Sequence, residues 1–151
     1  MRIALGCDHR GLKLKQAIME LLDKLIHDYQ DFGCYDNESV DYPDIARSVA
    51  EAVMSVRFDH GILICSSGIG MNIAANKVKG IRAALCCDTF SAQRARQHND
   101  ANVLCLGEDV IEQDLALDMV KVYLAATFEG GRHLQRLEKI RALETDSLDN
   151  R

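Results

Sequence analysis

Short runs in which five apolar residues follow one polar residue, each succeeded by a longer stretch of helical periodicity, constrain this chain more than any other feature. They occur at RIALGC (2–7), HGILIC (60–65), RAALCC (82–87) and NVLCLG (102–107). A strand with one wet face alternates apolar and polar residues, whereas a strand apolar at every position needs cover on both faces. The intervening stretches supply that cover. Leu14, Ile18, Leu21, Leu22 and Leu25 share one helical face, and Ala46, Val49, Ala50 and Val53 form another stripe behind Pro43, a residue suited to a first helical turn. A helix is expected from about Gly70 to Val78, ended by Gly80, and another from Thr89, its N-cap, to about Gln97. Leu115, Met119, Val122 and Ala126 mark the next, and Gly130 and Gly131 break the chain before a last helix carrying Leu134, Leu137 and Ile140. A weaker strand covers Tyr29–Gly33. The pattern predicts one doubly wound α/β domain over residues 1–143, with a five-stranded parallel sheet of the Rossmann or flavodoxin kind, and a tail at 144–151 that frays.

Composition removes several function classes. A net charge of −5 argues against broad binding to a nucleic-acid backbone, which needs a basic surface. No run approaches the roughly 20 apolar residues of a membrane span, and MRIALGCDHRG enters a strand-like run at once, so no signal peptide is expected. The six cysteines form no C-x-x-C pair and mostly sit in or beside apolar runs, where the thiol behaves as a small buried hydrophobe. Neither a disulfide framework nor a zinc site is expected, and a reducing cytoplasm is the natural home. Small-molecule chemistry or plain protein binding is left.

In doubly wound sheets ligands bind beyond the carboxyl ends of the strands. Asp8, His9, Arg10 and Gly11 follow the first strand, Cys65-Ser66-Ser67-Gly68-Ile69-Gly70 ends the third, and the helix after the fourth closes with His98-Asn99-Asp100; all are expected on one rim. Glycines let backbone approach a ligand, and a helix start offers free N–H groups, so Ser66–Gly70 could cradle a phosphate or a developing oxyanion. It could equally be a plain tight turn. It fits neither the dinucleotide fingerprint, with Ile73 where a third glycine belongs, nor a P-loop. Cys65 stands directly before it as a candidate base or nucleophile, against the alternative of one more buried cysteine. His98 could transfer protons or merely sit solvated in QRARQHND. Asp8 and His9 could be catalytic or cap a turn. Arg132 and Arg136, four apart, share a helix face that could clamp a phosphate or simply be solvated.

These residues resemble one family: type B ribose-5-phosphate isomerase, with the related galactose-6-phosphate isomerase subunits. The matching pieces are GCDHRG (6–11), VDYPDIA (40–46), GILICSSGIGMNIAANK (61–77), His98-Asn99, NVLCLG (102–107) and the Arg132/Arg136 helix, in family order through about Leu143. The resemblance implies metal-independent interconversion of ribose 5-phosphate and ribulose 5-phosphate through an enediolate, with no cofactor. It makes Cys65 the base, with Ser67 supporting the thiol and the backbone of Ser66, Ser67, Gly68, Ile69 and Gly70 steadying the enediolate oxygen. His98 then opens the sugar ring, Asp8 and Asn99 bind hydroxyls, and Tyr42 lies near the site. His9, Arg132 and Arg136 hold phosphate, the arginines arriving on a C-terminal helix from a partner subunit in a homodimer or tetramer.

Two departures stand out: Ser66 and Ser67 replace the common Gly-Thr, and Asp109 occupies a position where relatives often have arginine. A hexose 6-phosphate such as galactose or allose phosphate is the alternative substrate. A non-catalytic sugar-phosphate-binding module and a redox protein pairing Cys65 with Cys7 or Cys87 are the alternative classes.

Overall fold

The apolar runs become the interior of the sheet in the computed structural model, which describes residues 1–149. Strands β1 (Arg2–Cys7), β3 (His60–Cys65) and β5 (Val103–Gly107) are buried at nearly every position. The edges are β2 (Asp28–Asp31) and β4 (Ala83–Leu85), in the order β2-β1-β3-β5-β4 with every pair parallel. Six helices join or follow them: α1 (Leu12–Lys24), α2 (Tyr42–Met54), α3 (Ile69–Ala75), α4 (Thr89–Asn99), α5 (Gln113–Ala125) and α6 (Arg132–Asp149). This is the expected doubly wound flavodoxin-like fold.

Successive strand side chains point to opposite faces, and each face has its own core. Ile62, Ile64, Leu104 and Leu106 pack beneath α1, α4 and α5 with Leu14, Ile18, Ala92, Met119 and Tyr123. Leu63, Cys65, Val103 and Cys105 pack beneath α2 and α3 with Ala46, Val49, Ala50, Met71 and Ala75. Cys65 therefore belongs to the α2/α3 face. All six cysteines are unpaired, and only Cys87 is exposed.

The boundaries that moved are at the edges. β2 is Asp28–Asp31 rather than Tyr29–Gly33, a polar strand with alternating exposure, and β4 keeps only three of its expected six residues. An edge strand is paired on one side, so little holds its ends in register. Helix α3 ends at Ala75, with Asn76 as its C-cap, instead of at Val78. The cap of α4 is Asp88, one residue before the expected Thr89, whose carboxylate accepts the Ser91 N–H at 2.6 Å. Helix α6 continues past 143 to Asp149, since 144–149 contains no glycine or proline to stop it; positions 150–151 of the expected frayed tail lie outside the described residues. Among the described residues, no helix is long and apolar enough to cross a membrane.

Candidate active site

The chain winds outward from β1 to β2 and then returns past β1 to β3, so the crevice of a doubly wound sheet opens where β1 and β3 end. Cys7 pairs with Ile64 and Cys65 with Gly107, which brings three strand ends together. Asp8 and His9, the Ser66–Gly70 turn, and Glu108–Asp109 meet at that rim.

Cys65 is 5% exposed, and its Sγ accepts the Gly68 N–H at 3.1 Å. An amide aimed at sulfur steadies negative charge there. The geometry depends on Gly68, whose φ of +76° is left-handed and whose missing Cβ would lie 2.9 Å from the Leu106 carbonyl carbon. Gly107 serves the turn differently: a Cβ there would come within 2.7 Å of the Ser67 carbonyl. The Ser67 hydroxyl accepts the Ile69 N–H at 3.2 Å. Of the amides expected to face a ligand, those of Gly68 and Ile69 thus already have internal partners.

Around this turn, Asp8 is buried and its Oδ1 accepts the Arg10 N–H at 2.9 Å. His9 accepts the Val40 N–H on Nδ1 at 3.4 Å. The Tyr42 ring lies on Gly70, where a Cβ would be 2.7 Å from its carbons, so the aromatic face borders the turn as expected. Ser66 and Asp109, the two departures, touch one another: Ser66 Oγ donates to Asp109 Oδ2 at 2.6 Å, and Arg10 Nη2 donates to the same oxygen at 3.0 Å. The Ser66 hydroxyl, and then Arg10, hold the Asp109 carboxyl below the usual carboxylate range. Forty-three residues separate Ser66 from Asp109, so sequence spacing offered no sign of the contact.

His98 and Asn99 are not on this rim, which corrects the expectation that they would be. Helix α4 runs back against the strands, so its last turn lies at their amino ends. The Asn99 carbonyl accepts from Arg82 Nε at 3.0 Å just before β4, and β5 begins only four residues later at Val103. The length of β5, roughly 13 Å at 3.3 Å per residue, separates that end from Cys65. The residues that sequence reading gathered on one rim lie in two groups at opposite ends of the sheet. Cys87, weighed above as a redox partner for Cys65, does not follow a neighbouring strand, because β5 lies between β4 and β3.

The second group is built by an unusual return of the chain. Glu129 donates its N–H to the Gln97 carbonyl at 3.0 Å, and Gly130 and Gly131, with φ of 66° and 55°, fold the start of α6 back over the end of α4. The His133 ring consequently stacks on His98, centroids 4.1 Å apart and planes 11° from parallel. Glu129 Oε2 lies 3.6 Å from His98 Nε2 and 3.7 Å from His133 Nε2, and Arg94 Nη1 lies 3.3 Å from His98 Nε2. Burial first, then the neighbouring His98 and Arg132, pull His133 below the ordinary imidazole range. Imidazole lone pairs lie in the ring planes, and two parallel stacked rings do not aim them at a common point. The trio therefore suits proton handling better than metal ligation. Arg132 and Arg136 stand exposed on the first turns of α6 beside it. The Gly-Gly break was visible in the sequence, but Glu129 and His133 were missed because nothing in their spacing joins them to His98.

A doubly wound domain with a thiol-headed glycine turn at its ligand-binding rim defines a small-molecule α/β enzyme. The chain belongs to the Ribose/Galactose Isomerase family, whose profile matches residues 3–140. It is 48% identical over 143 residues to ribose-5-phosphate isomerase B of Escherichia coli, covering 95% of this chain and 96% of that one. It is 44% identical over 142 residues to D-erythrulose-4-phosphate isomerase of Pectobacterium atrosepticum, covering 93% of each. The structure of ribose-5-phosphate isomerase B from Clostridium thermocellum superposes with a TM-score of 0.96 at 52% identity, covering 97% of this chain and 99% of that one.

Proposed function

We propose that this isomerase interconverts ribose 5-phosphate and ribulose 5-phosphate through an enediolate, with Cys65 moving the proton between C1 and C2. The observation that carries this reading is the Gly68 amide directed at a thiol that keeps a small accessible surface at the ligand-binding rim. Deprotonating carbon beside a carbonyl needs a positioned base and a steadied oxyanion; the thiol is the base, supported by Ser67, and the turn backbone from Ser66 to Gly70 steadies the oxygen. Asp8 and Asn99 bind sugar hydroxyls, and Tyr42 walls the pocket. His9, Arg132 and Arg136 hold the phosphate, which takes no part in bond changes but fixes the reacting carbons. His98 opens the furanose. No step requires a metal or a cofactor.

Half-sites at opposite ends of one sheet cannot serve one sugar, so a second copy of the chain supplies His98, Asn99, Arg132 and Arg136 to the partner's Cys65 rim. The exposed apolar side chains support this reading: Phe90 is 66% exposed, and Ile69, Ile73, Leu134 and Ile140 are also exposed. A cavity of about 530 Å³ lined in part by Leu85, Phe90 and Ile140 opens beside the bare edge of β4. A two-fold arrangement completes both sites at once.

Two experiments test these statements. Chelator-treated protein is expected to convert ribose 5-phosphate at an undiminished rate; a rate lost on chelation and restored by a divalent ion would remove the metal-free mechanism. The same assay run over galactose and allose 6-phosphates and erythrose 4-phosphate ranks substrates by kcat/KM. For the shared site, inactive Cys65→Ala and Arg136→Ala subunits mixed and exchanged should regain about a quarter of wild-type activity, because half the dimers are hybrid and each carries one intact site. Exchange without any recovered activity would place both groups in one chain's site.

A further inference from the structure

We infer that Glu129 and His133 are positioning residues for His98, the carboxylate supporting its protonated ring and the stacked imidazole fixing its plane. The inference rests on the reading of His98 as the ring-opening group. Opening the furanose breaks the bond between C1 and the ring oxygen. The C1 hydroxyl gives up its proton as the carbonyl forms, and the ring oxygen gains one as it leaves with the bonding electrons. A single imidazole can do both by taking the first proton and returning it to the second oxygen, so nothing is consumed. It must pass through an imidazolium whose ring points the same way at both moments.

The half-site supplies what that passage needs. Glu129 Oε2 sits within 3.7 Å of both Nε2 atoms, beyond a hydrogen bond but close enough for an ion pair with whichever ring is charged. Two cationic rings 4.1 Å apart would repel, and burial together with the neighbouring His98 and Arg132 biases His133 against protonation, which leaves it a neutral stacking partner. The charged groups around the stacked pair are Arg94 on α4 and Glu129 on the connecting segment, both beside His98, and Arg132 and Arg136 on α6, which act on His133. Glu129 is the one anion among them. It opposes three arginines and therefore controls whether an imidazolium is tolerated. The carboxylate is itself held in place, by its own N–H on Gln97 and by an Arg94 Nη1 contact of 3.9 Å. Three separate features thus serve one ring: the two left-handed glycines, the stacking, and the shared carboxylate oxygen.

The test uses full-length Glu129→Gln, an isosteric change at a half-exposed side chain, read by NMR titration of the histidine rings and by the pH dependence of ribose 5-phosphate turnover. The His98 titration midpoint should fall by about half to one pH unit, and the matching limb of the rate profile should move with it, lowering turnover at neutral pH about three- to tenfold. His133→Phe, which keeps a flat ring, should retain turnover within about threefold, whereas His133→Ala should lose about tenfold. An unmoved His98 midpoint in Glu129→Gln, or a Phe variant as impaired as the Ala variant, overturns the inference. Full turnover by His98→Ala instead overturns the reading of His98 beneath it.

Discussion

Cys65→Ala is expected to lower turnover of ribose 5-phosphate by about 10²–10⁴-fold, the range spanned by a positioned acid–base group, while the protein still folds and still binds the sugar phosphate. The side chain is small and lies on the α2/α3 face among Ala46, Leu63 and Met71, so loss of one sulfur costs about 1 kcal/mol, a typical single-substitution effect. Nothing else in the turn can take over. Ser66 Oγ is committed to Asp109 and Ser67 Oγ to the Ile69 amide, and neither hydroxyl approaches thiolate basicity at neutral pH. Initial rates, a thermal melt and calorimetric titration with ribose 5-phosphate separate the outcomes. Wild-type rates in a folded Cys65→Ala protein would assign the base to another residue.

Gly107→Ala is expected to be nearly as damaging although position 107 touches no substrate in this reading. The added methyl would meet the Ser67 carbonyl carbon and oxygen at 2.7 Å and its Cα at 3.0 Å. Those are backbone atoms, so no side-chain rotation relieves the clash; the turn itself must move. Overpacking of this kind costs about 1–3 kcal/mol of stability. Displacing the amide that faces the reacting oxygen costs about 10²–10³-fold in kcat. Because φ at Gly107 is not in the left-handed region, alanine is tolerated by the local backbone and the whole effect travels through Ser67. The expected signature is a folded protein with a lowered melting temperature, little change in KM and a large fall in kcat. A normal kcat would mean that the position of the turn is not what limits the chemistry.

The central strands were legible in the sequence because their pattern has one physical cause. HGILIC and RIALGC are apolar at every position after the first since both faces are covered, and they match β3 and β1 residue for residue. DYQD and AAL were read less well because an edge strand is half solvated and half paired, and its limits are set by neighbours instead of by its own composition. The same distinction governs the site. The Cys65–Gly70 turn is contiguous, so its glycines and thiol announce themselves together. His98 was assigned to the wrong end of the sheet because a strand-end rule was applied to residues that close a helix, and closing helices return to where strands begin. Glu129 and His133 reach His98 only through two residues with positive φ, and Ser66 reaches Asp109 only across the β3–β5 pairing. Such contacts are properties of the folded backbone, invisible in linear spacing.

The placement of the two half-sites has a kinetic consequence. On the proposed exchange between copies, folding delivers a chain that is complete in structure and empty of catalysis, and the missing ingredient is an encounter. Specific activity should then decline on dilution below the dissociation constant of the pair while circular dichroism stays constant. A cell would set its flux through this step partly by how much of the chain it makes, with output rising more steeply than abundance at low expression.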